Sequence, residues 1–167
     1  MYQIVIRKAE ADDAPAMLAY MKQVGMETDN LTFGKEGLDV SMEKERQWIT
    51  RSNSATGCSF TAFDGPRVVG NIQLIAGSRE RTRHVAEMSV AVLEECWGHG
   101  VSSALFRQAM VWADQHKVTK VNLLVRADNE RAKAFYRKCG FVKEGVTTRM
   151  FRIDDTYIDG EYWGLLR

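Results

Sequence analysis

The chain has 167 residues, of which 45% are hydrophobic, and its 23 basic and 22 acidic side chains leave a net charge of +1. This length fits one domain over residues 1–167, and the balanced charge gives no broad field that would favour nucleic acid or an anionic membrane. No apolar run approaches the length of a membrane span, and three cysteines without framework spacing fit a soluble protein of the reducing cytoplasm.

The N-terminal half alternates strand patterns with two amphipathic helices. Its first residues enter a strand pattern directly, so we expect no signal peptide. The glycine-rich, acidic stretch over residues 25–40 is predicted to be a mobile loop, and Asp64-Gly65 is a hairpin signal. In chain order, the predicted elements are a strand at Tyr2–Lys8, a helix capped by Asp12, a helix from Ser41 through Trp48, and strands at Cys58–Phe63 and Val68–Ile75.

A strand, a glycine turn and a helix then follow in immediate succession. Alternation predicts a strand from about His84 to Val92, and helical periodicity runs from about Gly100 to His116. Gly98 and Gly100 lie at the join, where bare backbone N–H groups meet the positive end of the helix. This arrangement predicts an anion site, most naturally for phosphate.

Spacing around this turn excludes two common phosphate-binding motifs. A P-loop requires a lysine directly after its second conserved glycine, and Val101 stands there instead. A dinucleotide fingerprint requires a third glycine and an acidic residue about twenty positions on, where Ser103 and Arg126 stand. An NTPase is therefore excluded, and a nucleotide-dependent oxidoreductase is disfavoured.

The C-terminal half continues with a strand at Val121–Arg126 and a helix from Asn129 to Gly140. Two more strands, Thr148–Ile153 and Glu161–Leu166, are predicted with Asp159-Gly160 as a turn between them. The total is about seven strands and about four helices in a mixed, mostly antiparallel sheet with one central β-α-β crossover. The fold class is α/β in the broad sense that includes α+β.

Two motifs resemble those of the GNAT acetyltransferases. The segment Trp97-Gly-His-Gly-Val-Ser-Ser-Ala-Leu is similar to their pyrophosphate loop, Gln/Arg-x-x-Gly-x-Gly/Ala, with Trp97 in place of Gln/Arg and Ser102 in place of the last Gly/Ala. The following motif of the family, Asn-x-x-Ala-x-x-Phe/Leu-Tyr-x-x-x-Gly-Phe, is matched by Asn129, Ala132, Phe135, Tyr136, Gly140 and Phe141. The resemblance implies a GNAT fold and an acetyl-CoA-dependent N-acetyltransferase that works by direct attack, without an acetyl-enzyme.

The resemblance also implies which residues contact acetyl-CoA. Main-chain groups at Val90, Ala91 and Val92 are expected to bind the pantetheine amides and to polarise the acetyl carbonyl. Asn129 is expected both to cap its helix and to contact the cofactor. The pyrophosphate is expected to lie on Gly98, His99, Gly100, Val101, Ser102 and Ser103.

Glu87 and Tyr136 are the candidate catalytic residues. Glu87 stands where the family commonly has its general base, and a solvated or ion-paired strand residue, with Arg83 or Arg149 as partner, is the alternative. Tyr136 stands where a tyrosine hydroxyl reaches the thioester sulfur, although its ring also fits the apolar stripe of its helix. Ser89 shares the strand face of Glu87 and is either a water ligand or an ordinary strand residue.

Several other functions receive less support. Cys96-x-x-His99 has no second ligand pair, so no metal is expected. A non-catalytic acyl-CoA-binding sensor with the same fold is the alternative to an enzyme. As acceptor we expect a small amine, a polyamine or a protein N-terminus, with no nucleic-acid or membrane partner and with a homodimer left open.

Overall fold

The computed structural model describes residues 3–167 of the chain, so the predicted strand start at Tyr2 lies outside the described residues. It contains a seven-stranded sheet and four α-helices within this range, as predicted. Short 3-10 turns at Ala11–Asp13 and Glu94–Cys96 precede α1 and α3. The elements are β1 Ile4–Lys8, α1 Ala14–Glu27, α2 Met42–Ser52, β2 Gly57–Asp64, β3 Arg67–Ala76, β4 Val85–Val92, α3 Val101–Gln115, β5 Lys120–Arg126, α4 Glu130–Lys138, β6 Val142–Ile153 and β7 Thr156–Leu166.

The sheet has the strand order β1-β2-β3-β4-β5-β7-β6. Its neighbouring strands are antiparallel except β4 and β5, which run parallel and are joined by α3. This pair is the predicted β-α-β crossover. Because only a short connection separates β4 from α3, the N-terminus of α3 lies at the carboxyl end of that strand, beside the point where β5 also ends.

The hydrophobic core is formed by buried side chains of the sheet, of α3 and of α1 and α2, among them Leu105, Met17 and Ile49. The buried face of β4 carries Ala86, Met88 and Val92, while Glu87 and Ser89 on the opposite face are exposed. The approach of α3 is close, because a side chain at Gly70 in β3 would meet both Val92 and Leu105 within van der Waals distance. The apolar face read from alternation is therefore the one that α3 covers.

The prediction of a turn at Asp159-Gly160 is wrong. Both residues lie inside β7, and β6 and β7 are connected at residues 154–155, where Asp154 has a φ of +44°. Gly160 is required by close packing, since a Cβ there would lie 3.0 Å from Leu124 and 3.1 Å from Met150. Asp159 accepts a hydrogen bond from the Arg149 amide at 2.8 Å across an irregularity in the β6–β7 register, so this Asp-Gly pair accompanies a bulge.

The start of α1 also differs from the prediction. Asp12 lies in the 3-10 turn, and it is Asp13 whose carboxylate accepts a hydrogen bond from the Glu10 amide at 2.8 Å. Arg7 holds the same carboxylate with two hydrogen bonds, of 2.6 and 2.9 Å. The helix then continues through Gly25 to Glu27, so the connection to α2 is shorter than the predicted loop.

None of the helices within residues 3–167 combines the length and the apolar character needed to cross a bilayer.

Candidate active site

The centre of the candidate site is a gap between β4 and β5. The two strands pair only from Val85–Lys120 to Glu87–Asn122, and both continue beyond that point without pairing. A cavity of about 810 Å³ lies at this gap. Such a gap leaves main-chain N–H and C=O groups of two strands available to a ligand, because a sheet edge without a partner strand is unsatisfied.

The hydrogen bonds at the ends of β4 show which residues face the gap. The Val85 carbonyl accepts from Gly77 and the Leu93 amide donates to Val69, so odd-numbered residues of β4 turn their main chain toward β3. Val90, with an even number, therefore presents its N–H and C=O to the gap. Val92 presents its N–H there, but its carbonyl already accepts a hydrogen bond from the Trp97 indole at 2.8 Å.

The glycine turn has the geometry expected of an anion cradle. Gly98 and Gly100 have φ values of +78° and +80°, and a Cβ at either position would meet nothing within 4 Å. The first hydrogen bond of α3 runs from the Ala104 amide to the Gly100 carbonyl, which leaves the amides of the first turn without helical partners. Open space therefore lies directly against unpaired N–H groups at a positive helix end.

A cation stands over this turn, and the sequence analysis did not identify it. The Arg131 guanidinium stacks on the Trp97 ring at 3.6 Å from the ring centroid, and both side chains line the cavity. Trp97 occupies the position where the family usually has Gln or Arg, so Arg131 brings a positive charge back to this corner from α4. Its position two residues after Asn129, in the first turn of α4, is the signal that could have indicated it.

Asn129 caps α4 and leaves part of its amide for a ligand. Its Oδ1 accepts a hydrogen bond from the Ala132 amide at 3.1 Å, as predicted for a cap. The Nδ2 group is not used by this bond, and the side chain lines the cavity. The capping role and a ligand contact are thus compatible at this position.

Tyr136 combines a packed ring with an unpaired hydroxyl. The ring contacts Phe135 and Phe141 at centroid distances of 5.7 and 5.8 Å, and the residue is buried but lines the cavity. Its hydroxyl makes no hydrogen bond within residues 3–167, and burial raises the pKa of Tyr136 to about 12. The group is therefore a protonated donor at neutral pH that has no acceptor among the described residues.

Glu87 lies where the pairing of β4 and β5 ends. Its carboxylate accepts a hydrogen bond of 3.1 Å from Asn122, the residue opposite it on β5. Neither of the two arginines that the sequence offered as ion-pair partners pairs with Glu87, because Arg83 pairs with Glu80 and the Arg149 guanidinium lies over the Tyr157 ring. Glu87 and Ser89 both line the cavity, so the carboxylate stands at the junction of the two strands with one neutral partner.

Two walls enclose the cavity. The α3–α4 wall consists of the glycine turn, the first turn of α3 and the facing residues of α4. The α1–α2 wall consists of α1, α2, the loop of residues 28–41 between them, and β3, and Tyr20 anchors it by a hydrogen bond of 2.8 Å to the Ala91 carbonyl. Burial raises the pKa of Tyr20, which keeps this donor protonated. The polar side chains that reach the cavity from the α1–α2 wall are Tyr20, Thr28, Asn30, Thr32, Glu45, Asn71 and Gln73.

The loop of the α1–α2 wall is held by Arg126 at the end of β5. The guanidinium is almost fully buried and makes contacts with Asp29, through the carboxylate at 3.0 Å and the carbonyl at 2.9 Å. It also forms two hydrogen bonds of 2.9 and 2.7 Å with Asp128. Hydrogen bonding to Arg126 lowers the pKa of Asp128. The loop is thereby connected to the strand whose separation from β4 forms the gap.

The structure brings together the predicted site residues with one exception. His99 is exposed and does not line the cavity, although its amide takes part in the turn through a bond of 3.4 Å to the Cys96 carbonyl. The predicted residues that line the cavity are Glu87, Val90, Ala91, Val92, Gly98, Gly100, Val101, Ser102, Ser103, Asn129 and Tyr136.

Similarity to known proteins extends over nearly the whole chain. It is 29% identical over 165 residues to the L-amino acid N-acetyltransferase AaaT of Escherichia coli (strain K12), covering 97% of each chain. A GNAT-family acetyltransferase structure from Streptococcus pneumoniae superposes with a TM-score of 0.93 at 27% identity, covering 99% of this chain and 100% of that one. The ribosomal-protein-alanine N-acetyltransferase of Brucella melitensis gives a TM-score of 0.84 at 25% identity over 98% and 99% of the two chains.

The family model of the acetyltransferase (GNAT) family matches residues 22–141, a range that contains the gap, the glycine turn and α4. The chain therefore belongs to the acetyltransferase (GNAT) family.

Proposed function

We propose that the protein transfers an acetyl group from acetyl-CoA to a primary amine by direct attack within a ternary complex, with residues 1–167 acting as one catalytic domain. One observation carries the proposal: the same cavity connects the open anion cradle at Gly98 and Gly100 with the Glu87 carboxylate and the Tyr136 hydroxyl. The named relatives do not decide the acceptor: one is an L-amino acid N-acetyltransferase and another a ribosomal-protein-alanine N-acetyltransferase.

The residues of the cavity fit an acyl-CoA. Unpaired amides of the α3 first turn and the open space at Gly100 suit a pyrophosphate, and Arg131 adds a positive charge beside them. The Val90 main chain, turned toward the gap, can pair with the amides of an extended pantetheine arm as a missing strand would. Phe135 and Tyr136 of the neighbouring aromatic cluster line the same cavity.

Acetyl-CoA supplies an acetyl group that is already activated as a thioester. The Val90 N–H donates a hydrogen bond that polarises the acetyl carbonyl in the gap. Glu87 accepts the proton of the attacking amine, directly or through a water molecule, and Asn122 holds the carboxylate in position during this step. The N–C bond forms as the C–S bond breaks, and the Tyr136 hydroxyl donates its proton to the departing sulfur.

Ligand titration and a thiol-release assay test this proposal. By isothermal titration calorimetry we expect binding of CoA and no binding of ATP or NAD(P), because the turn lacks the side chains those ligands require. With acetyl-CoA and a panel of amines, amino acids, aminoglycosides and short peptides, we expect acceptor-dependent release of free CoA thiol. Binding only to a dinucleotide would refute the proposal, and CoA binding without acetyl transfer to any amine would support the non-catalytic sensor instead.

A further inference from the structure

Glu45 is a buried carboxylate that has no partner in the part of the chain that the structure describes. It lies on α2 with 3% of its surface exposed and lines the cavity from the α1–α2 wall. Its Oε1 atom is buried without a hydrogen bond, and no ion pair holds the carboxylate within residues 3–167. Burial raises the pKa of Glu45, which reflects the cost of keeping an uncompensated charge in this position.

Asn71 offers a second hydrogen-bond acceptor on the same wall. Its Nδ2 group donates to Ser59 and Thr61 at 2.9 Å each and to the Phe60 carbonyl at 3.2 Å. A carbonyl only accepts, so this contact fixes the orientation of the amide and leaves Oδ1 as the atom available to a ligand. The α1–α2 wall therefore presents a carboxylate and an amide oxygen, both of which accept hydrogen bonds.

The charged side chains of the cavity are separated by sign. Arg131 and Lys138 belong to α4, on the wall that fits the phosphates of CoA. Glu45 and Glu87 are the acidic lining residues, and the described residues of the α1–α2 wall place no Lys or Arg side chain against the cavity. An acceptor with a free carboxylate would thus meet the Glu45 carboxylate on the α1–α2 wall and the Glu87 carboxylate at the junction of β4 and β5, with no cation on the α1–α2 wall, which is electrostatically unfavourable.

The remainder of this wall is apolar. The cavity is also lined by Leu31 and Phe33 from the loop and by Trp48, which lies on the same helix as Glu45. A short alkyl chain can be buried against these side chains while groups at its two ends reach different polar atoms.

Resting on the proposed acetyltransferase function, we infer that the acceptor is a primary amine that carries a second positive charge and no carboxylate, and that Glu45 binds this second charge. The Asn71 Oδ1 accepts a further hydrogen bond from the same ammonium group, and the apolar side chains contain the spacer. Glu45 is then unpartnered because its partner is part of the substrate. An ion pair between the substrate ammonium and Glu45 would offset the cost of burying this carboxylate without a counter-charge.

Three acceptors that share one carbon skeleton test the inference. 1,5-Diaminopentane carries the second charge, 1-aminopentane lacks it, and L-lysine is 1,5-diaminopentane with a carboxylate added. From thiol release we expect kcat/KM for the diamine to exceed that for each of the others by roughly tenfold to a hundredfold, the scale of a hydrogen bond to a charged group. A preference for L-lysine, or equal use of the diamine and the monoamine, would overturn the inference while acetyl transfer itself stands.

The Glu45→Gln variant assigns the preference to this carboxylate. We expect the ratio of kcat/KM for the diamine to kcat/KM for the monoamine to fall to about one in this variant, mainly through KM for the diamine. Glu43→Gln is the matched control, because Glu43 lies exposed on the same helix, and it should leave the preference intact. An equal loss of activity with all three acceptors would show that Glu45 acts in the transfer step or in folding and does not recognise a second charge.

Binding can also be measured without turnover. Titration of the diamine into protein saturated with CoA should show binding that Glu45→Gln weakens roughly tenfold or more, whereas CoA affinity is unchanged. If CoA binds and the diamine does not bind to this complex, the inference is refuted even when acetyl transfer to other amines is observed. If CoA itself does not bind, it is the proposed function that fails.

Discussion

At the scale of single residues, Tyr136 separates catalysis from cofactor binding. Its ring packs among aromatic side chains, so Tyr136→Phe keeps the packing and removes only the hydroxyl. We expect turnover to fall by roughly tenfold to a thousandfold, the usual scale for a positioned acid, with CoA affinity close to wild type by calorimetry. Because the pKa of Tyr136 is about 12, the wild-type enzyme should not lose this acid below pH 10 or so. Full activity of the variant would show that the departing sulfur takes its proton elsewhere.

The role of Glu87 should be visible in the pH dependence of kcat/KM. A base is needed while the amine carries its proton, so the defect of Glu87→Gln should be largest near neutral pH and shrink toward the acceptor pKa of about 10. The pH profiles of kcat/KM, measured with one acceptor below saturation, test this expectation. Glu80→Gln is a control, since Glu80 pairs with Arg83 on the exposed turn before β4. A loss that is the same at every pH would mean that Glu87 positions the acceptor without taking its proton.

Glu45 should cost the protein stability in the absence of acceptor. Its pKa is raised by burial, so above the unfolded value of about 4.3 the unfolded chain loses the proton before the folded chain does. The stability contributed by this group is therefore highest below that pH and falls as pH rises through the folded pKa. Because Gln does not titrate, we expect Glu45→Gln to raise Tm at pH 8 and to raise it by less at pH 4, measured by calorimetry. A lower Tm for the variant at pH 8 would mean that the carboxylate is stabilised by a group on the protein.

At the scale of elements, CoA binding at the glycine turn should depend on the open space beside Gly100 more than on the flexibility of the turn. Gly100→Val would place a branched side chain where the phosphates are expected, at a φ of +80° that L residues rarely adopt. Gly65→Val is a matched control, because Gly65 also has a positive φ of +57° and nothing within 4 Å, but lies in the β2–β3 hairpin. We expect similar losses of Tm in both variants and a large loss of CoA affinity only in Gly100→Val. Unchanged CoA affinity in a folded Gly100→Val protein would place the phosphates elsewhere.

Elements with a clear period were predictable from sequence. Alternation before Gly98 and helical spacing after Gly100 indicated β4 and α3 because one face of each is buried, and Gly140 ends α4 with the expected positive φ of +92°. The Asp159-Gly160 prediction failed because a glycine required for close packing inside a sheet has the same local sequence as one required in a turn. Which of the two applies depends on Leu124 and Met150, which are distant in sequence.

At the scale of the whole molecule, motifs predicted the α3–α4 wall and left the α1–α2 wall undetermined. The first wall is built by consecutive segments whose spacing is visible in the sequence. The second is assembled from side chains such as Tyr20, Glu45 and Asn71, which converge only when α1, α2 and β3 pack together. One local feature of the sequence points to this wall: Glu45 lies on the buried stripe of α2, four residues before Ile49.

The contact between Arg126 and Asp29 joins these two parts of the molecule, because it ties the end of β5 to the loop that lines the α1–α2 wall. Asp29→Ala removes the carboxylate while the carbonyl contact remains, so the loop should loosen without unfolding the sheet. We expect the acceptor KM to rise by roughly twofold to tenfold, the scale of one hydrogen bond, with CoA affinity unchanged. Tryptic cleavage after Lys35 in the same loop should become faster.

Asp39→Ala tests whether the effect is specific to the contact. Asp39 is an exposed residue of the same loop and makes no hydrogen bond or ion pair within residues 3–167, so its loss should change neither KM nor the cleavage rate. Low pH should weaken the neighbouring ion pair of Arg126 with Asp128. The Arg126 guanidinium lowers the pKa of Asp128, so that pair contributes stability above the unfolded value of about 3.9 and loses it as pH falls below that value. Cleavage after Lys35 that is equally fast in wild type and Asp29→Ala would show that packing alone holds the loop against the cavity.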